Sequence, residues 1–101
     1  MPQDINKIPD WLTITADSAT IKLSKIVKVN QIETDQLTMR SPTVREVRAA
    51  TKAAPDDEEQ SEMILFASLT DAGQNDLGEL SVRDYKRLQA AYFRLVREDR
   101  V

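Results

Sequence analysis

The residues of this chain most able to do chemistry are carboxylates. Asp56, Asp57, Glu58 and Glu59 stand in a row, and oxygen ligands of this kind bind hard cations. Consecutive residues on a helical turn point in different directions, and nothing here matches a calcium loop with its central glycine. The run therefore reads as the first turn of a helix, where the macrodipole favours negative charge. The chain has no histidine and no cysteine. That removes the usual general base near neutral pH, the commonest metal ligand, the thiolate nucleophile and any disulfide. No catalytic residue, metal site or cofactor is expected, and the protein is read as a binder, not an enzyme.

Arg45, Arg48 and Lys52 are a candidate cationic stripe, at spacings of three and four on a single helical face. A nucleic-acid stripe would interleave aromatic residues with such cations, and none is present; Glu46 sits in the same turn. The charge balance points the same way. Residues 1–54 carry eight Lys/Arg and six Asp/Glu, residues 55–101 six and eleven, so the halves are +2 and −5 and the chain −3. A net acidic chain is a poor partner for phosphate, and a small DNA-binding regulator is the weakest of the functional alternatives. No apolar run nears the ~18 residues of a membrane span, and residues 1–10 lack the apolar stretch of a signal peptide. A cytoplasmic protein with no membrane contact is expected.

The elements that position these groups follow from periodicity. Residues 1–10 read as a flexible N-terminal arm, and 11–101 as one small α+β domain. The strands fall within about 11–40, as an N-terminal β-hairpin or small antiparallel meander followed by three α-helices. Ile21, Leu23, Val27 and Val29 share one parity, with Lys25 marking a bulge or a protected edge. Asn30-Gln31 reads as a turn, and Leu37 and Met39 face inward. Thr43 with Glu46 forms a capping box opening a helix over 44–54, which stops at Pro55. A second helix spans 57–70, and Gln74–Leu80 is a connector with one irregular turn. Ser81, with Asp84 in the box position, opens a third helix over 82–97. Its apolar positions are Val82, Tyr85, Leu88, Tyr92, Leu95 and Val96.

The apolar surface exceeds what a domain of this size needs for a core. Met63, Ile64, Leu65, Phe66 and Leu69 point almost all round their helix, a pattern that calls for enclosure on every side. A partner, or a second copy of the chain, is expected to cover Ile64 and Leu65. The third helix carries an apolar arc wider than the ~100° of a core-facing stripe, with Phe93 at its margin. The candidate partner-binding residues are Ile64, Leu65, Phe66, Tyr92 and Phe93, with Tyr85 and Leu88 supporting a groove.

Taken in order, several segments carry a family likeness. They are Pro9-Asp10-Trp11-Leu12, Ile21-Lys22-Leu23-Ser24-Lys25, Val29-Asn30, and Leu37-Thr38-Met39-Arg40-Ser41-Pro42-Thr43 running into Val44-Arg45-Glu46-Val47-Arg48-Ala49-Ala50. Leu80-Ser81, Asp84-Tyr85 and Leu88-Gln89 follow. With them the chain resembles the tail assembly chaperones of Mu-like contractile-tailed bacteriophages over roughly residues 9–96. The family pattern has proline where this chain has Ile26 and often glycine where it has Gln31. The resemblance implies a non-enzymatic protein of the bacterial host's cytoplasm that binds the long, apolar, helix-rich tape measure protein before the tail tube forms, and is absent from the finished virion. A structural tail or baseplate component, or a small interaction adaptor, is the alternative.

Overall fold

The computed structural model describes residues 7–97, so the first six residues of the expected N-terminal arm, and residues 98–101, lie outside it. Three strands come first: β1 (Leu12–Ile14), β2 (Ser18–Val29) and β3 (Ile32–Arg40). They form an antiparallel sheet in the order β1-β2-β3. Four helices follow: α1 (Val44–Ala53), α2 (Glu58–Thr70), α3 (Gln74–Gly78) and α4 (Val82–Val96). The expected meander and three longer helices are all present, and the connector proves to hold the short α3.

Alternation along the strands decides which face the helices cover. Leu12, Ala19, Ile21, Leu23, Leu37 and Met39 are buried, while Lys22, Gln36 and Thr38 between them are exposed. On the open face Thr20 and Thr38 stand opposite each other, their hydroxyls 3.3 Å apart. Against the buried face α4 packs chiefly on β2 and α2 on β3, and α1 packs on the outer side of α2. The core is completed by Phe66, Leu69, Leu77, Leu88 and Ala91, all nearly or fully removed from water.

Local chemistry sets the turns. Thr15 Oγ1 accepts the Asp17 and Ser18 N–H groups between β1 and β2. Asn30 and Gln31 both adopt positive φ, 54° and 69°, matching the right-handed strand twist across a two-residue hairpin. Pairing runs from Ser18↔Arg40 to Lys22↔Gln36 and resumes at Val27↔Thr34, so Leu23 through Ile26 stand opposite Asp35 alone. This is the bulge marked by Lys25 in the sequence. It turns Ile26 outward, leaving it 69% exposed.

Candidate partner-binding groove

The groove lies between α1 and α4, with α2 beneath it. The α1 wall starts from its cap: Thr43 Oγ1 accepts the Glu46 N–H at 3.2 Å, and Glu46 Oε1 accepts the Thr43 N–H at 3.0 Å. Glu46 also pairs with Arg40, whose Nη2 reaches the Ser68 carbonyl at 3.3 Å. That pair, then the Thr43 N–H, hold the Glu46 carboxyl down at about 2. Thus both the helix start and the end of β3 are tied to α2. From there Val47, Thr51 and Ala54, at spacings of four and three, line one side of the groove.

α2 supplies the floor. Asp57 caps it by accepting the Gln60 N–H at 3.0 Å, so the acidic run sits at a helix start as its spacing suggests. Glu58, Ser61, Glu62, Leu65 and Phe66 then face the groove. Leu65 is 6% exposed and Phe66 wholly buried.

The α4 wall is aromatic. Tyr92 and Tyr85 pack on Phe66, with ring centroids 5.4 and 5.7 Å away, within the range of favourable aromatic contact, and the rings tilted. The Tyr85 hydroxyl donates to Glu62 Oε1 at 2.8 Å, and Gln89 Nε2 donates to the same oxygen at 2.9 Å. Burial, reinforced by Glu62, pushes the Tyr85 hydroxyl pKa well above its ordinary value; burial raises Tyr92 likewise. The groove encloses about 320 Å³. Its lining mixes the apolar Val47, Ala54, Pro55, Leu65, Phe66 and Tyr92 with the polar Thr51, Glu58, Ser61 and Glu62.

Beside the groove, α4 presents a second face to water. Val82, Lys86, Gln89, Phe93 and Val96 recur at spacings of 4, 3, 4 and 3, and Val82 and Phe93 are 72% and 60% exposed. The inward face is Asp84, Leu88, Ala91 and Leu95. Among the described residues no group of His, Cys, Asp or Glu is arranged to hold a metal ion. No described helix is long and apolar enough to cross a membrane.

The sequence pattern of a family described as "Phage tail assembly chaperone proteins, E, or 41 or 14" matches residues 20–97, from β2 through the end of α4. The chain belongs to the phage tail assembly chaperone family. Its function is accordingly tail assembly, and it is not an enzyme. No curated protein and no solved structure matches it.

The structure divides the chaperone's sequence-predicted partner residues into three groups. Leu65, Phe66 and Tyr92 come together on the groove. Tyr85 stands behind it, its hydroxyl holding Glu62, and Leu88 is fully buried under α4. Ile64 is half-buried against the core and Phe93 lies exposed on the adjoining α4 face. Within the chain α2 packs on α1, β3 and α3, and its Phe66 meets Tyr85 and Tyr92 of α4, while Met63, Ile64 and Ala67 stay partly exposed. By spacing, Val47 and Ala54 fall with Val44 and Ala50 on the apolar side of the first helix, but neither they nor the polar Thr51 are among the expected partner residues. Sequence reasoning also missed Glu62, a lone carboxylate beside the most apolar run in the chain. Arg45, Arg48 and Lys52 point away from α2, on the outward face of α1.

Proposed function

We propose that this chaperone serves a Mu-like contractile-tailed phage, binding its tape measure protein in the host cytoplasm through the groove between α1 and α4. The observation that carries this reading is an apolar trough, floored by Leu65 and Phe66 and walled by Val47 and Tyr92, left open in a domain whose core is otherwise complete. Phe93 and Val96 continue apolar surface beyond its α4 wall. A long helical protein waiting for its tube must keep apolar stripes from aggregating. A groove that covers such a stripe one segment at a time performs that task. Ile64, Tyr85 and Leu88 act by holding the walls in place.

Co-expression with the tape measure product of the same phage, followed by pull-down, tests the reading. The wild-type chain is expected to keep that product soluble and to co-purify with it. Val47→Asp, in the groove wall, is expected to lose it while retaining the helical circular dichroism of the wild type. Failure of the wild-type pair to associate would sink the assignment.

A further inference from the structure

Glu62 is oriented more tightly than a groove-lining carboxylate needs to be. Both its donors, Tyr85 Oη and Gln89 Nε2, come from α4 and both reach Oε1. No partner takes Oε2 among the described residues. One turn earlier Glu58 lines the same trough, and the trough's lining contains no lysine or arginine. Among the described residues neither Glu58 nor Glu62 forms an ion pair, although the chain carries cations on the outward face of α1 and along α4. An apolar trough therefore carries two carboxylates a helical turn apart, one of them locked in position and neither internally neutralised.

We infer that the groove selects helical segments bearing arginine or lysine beside their apolar stripe, with Glu62 as the residue that recognises the cation. An incoming guanidinium or ammonium would meet an acceptor whose orientation is already fixed, so little side-chain freedom is lost on pairing. A segment with acidic flanks meets like charge at both Glu58 and Glu62, which rejects it. A segment with neutral flanks would leave both carboxylates partly desolvated and unpaired. Cations at positions four apart in the occupant match the spacing of Glu58 and Glu62.

The probes are three synthetic helical peptides of about fifteen residues, long enough for measurable helicity. All share one leucine stripe, and the flanking positions are Arg, Gln or Glu. Binding to the full chain is measured by fluorescence anisotropy. The Arg peptide is expected to bind about tenfold tighter than the Gln peptide, the equivalent of one charge-assisted hydrogen bond, with the Glu peptide weakest. Glu62→Gln keeps an acceptor for Tyr85 and Gln89 and should erase most of that preference. Glu33→Gln removes the same charge from an exposed β3 position and should leave the preference intact. Equal binding of the three peptides, or equal loss in both variants, would overturn the inference. So would a chain that sediments as a dimer whether or not Glu62 is changed and binds none of the peptides, since a second copy would then fill the trough without using the carboxylate. Because the groove is taken as the tape measure site, the two assignments are separable. A peptide preference without tape measure capture removes only the tape measure assignment. Capture that Glu62→Gln leaves unchanged, with no peptide preference, removes only the cation assignment.

Discussion

Asp84 Oδ1, at the start of α4, accepts the backbone N–H of Ser24, inside the β2 bulge, at 2.8 Å. The bulge takes that N–H out of the ladder, and the α4 carboxyl group receives it. Asp84 is fully buried, and its Oδ2 has no partner among the described residues. Asp76 repeats the arrangement just past the C-terminal end of β2. Its Oδ2 accepts both the Gly73 N–H, capping α3, and the Asn30 N–H of the β2–β3 turn. Two helix-start carboxyl groups thus fix β2 at its two irregular points, and α4, with its groove wall, is held to the sheet through one of them.

Asp84→Ala is expected to destabilise the chain by about 1–3 kcal/mol, because it takes the acceptor from the Ser24 N–H at a part-buried site. Asp84→Asn keeps the acceptor for Ser24 and puts an equally unpartnered NH2 in place of Oδ2, so its stability should lie within about 1 kcal/mol of wild type. Urea unfolding of the three proteins checks the order. A substitution to Ala no more harmful than that to Asn would show that the Ser24 contact contributes nothing.

This contact also marks where the sequence stopped being legible. The Thr43 and Glu46 box formed as its spacing suggests, because both partners are local. Ser81 and Asp84 have the same spacing, yet only half of the box forms: Ser81 Oγ accepts the Asp84 N–H, while the carboxyl group goes to Ser24. A partner sixty residues away leaves no trace in local spacing. The strands were legible for the opposite reason, since alternation of Leu37 and Met39 with Gln36 and Thr38 records burial directly. α2 was legible as a helix but not in its surroundings. Periodicity shows apolar residues all round Met63 through Leu69, not which elements pack on them, and the apolar side of α1 gives no sign that it forms one wall of a groove.

The Arg40 and Glu46 pair makes a pH-dependent contribution at acid pH. Glu46 is held at about 2 in the folded chain, chiefly by Arg40 and then by the Thr43 N–H, below its ordinary value of 4.5. A depressed carboxyl stabilises fully above the unfolded value, and the contribution is lost as pH falls through the folded one. Between pH 4.5 and 2 the wild type should therefore lose thermal stability more steeply than Glu46→Gln. The pair is at the surface, so added salt should narrow the difference. Parallel Tm profiles with pH would contradict the assignment.

Tyr85 and Tyr92 should act at the alkaline end. Burial raises both, and Glu62 adds to each. A group whose folded pKa is raised stabilises fully below its unfolded value, about 10 for tyrosine, and that stability fades at higher pH. The two tyrosines should ionise above pH ~10 in ultraviolet titration of the folded chain and near pH ~10 in denaturant. Tyr85→Phe removes the hydroxyl from Glu62 and is expected to cost about 1 kcal/mol. Ionisation of both at the denatured value in the native protein would show that the Phe66 cluster is more open than the structure has it.

The β2–β3 turn places Gln31 at φ 69°, in the left-handed region that favours glycine. This is the position where the resembled family often has glycine. Gln31→Gly should relieve strain of about 1 kcal/mol, part of it offset by the freer unfolded chain. Asn30 is the wrong place for the same change. Its Nδ2 donates to the Asp71 carbonyl at 3.0 Å, so Asn30→Gly gives up a tie to the end of α2. Thermal melts should rank Gln31→Gly above wild type and Asn30→Gly below it.

Phe66 and Phe93 separate packing from recognition. Phe66 is wholly buried and touches both groove tyrosines, so Phe66→Ala should cost about 3–5 kcal/mol and loosen floor and wall together. Phe93 is 60% exposed, with the Arg97 guanidinium 5.4 Å from its ring. Phe93→Ser should therefore change stability by no more than about 0.5 kcal/mol, the usual range for a surface site. Phe93→Lys should behave similarly in urea, yet weaken capture of the tape measure product, because it sets a cation where apolar surface adjoins the groove. If Phe93→Lys captures the product as well as wild type while Val47→Asp does not, the contact ends at the Tyr92 wall. The outer face of α4 would then take no part in binding.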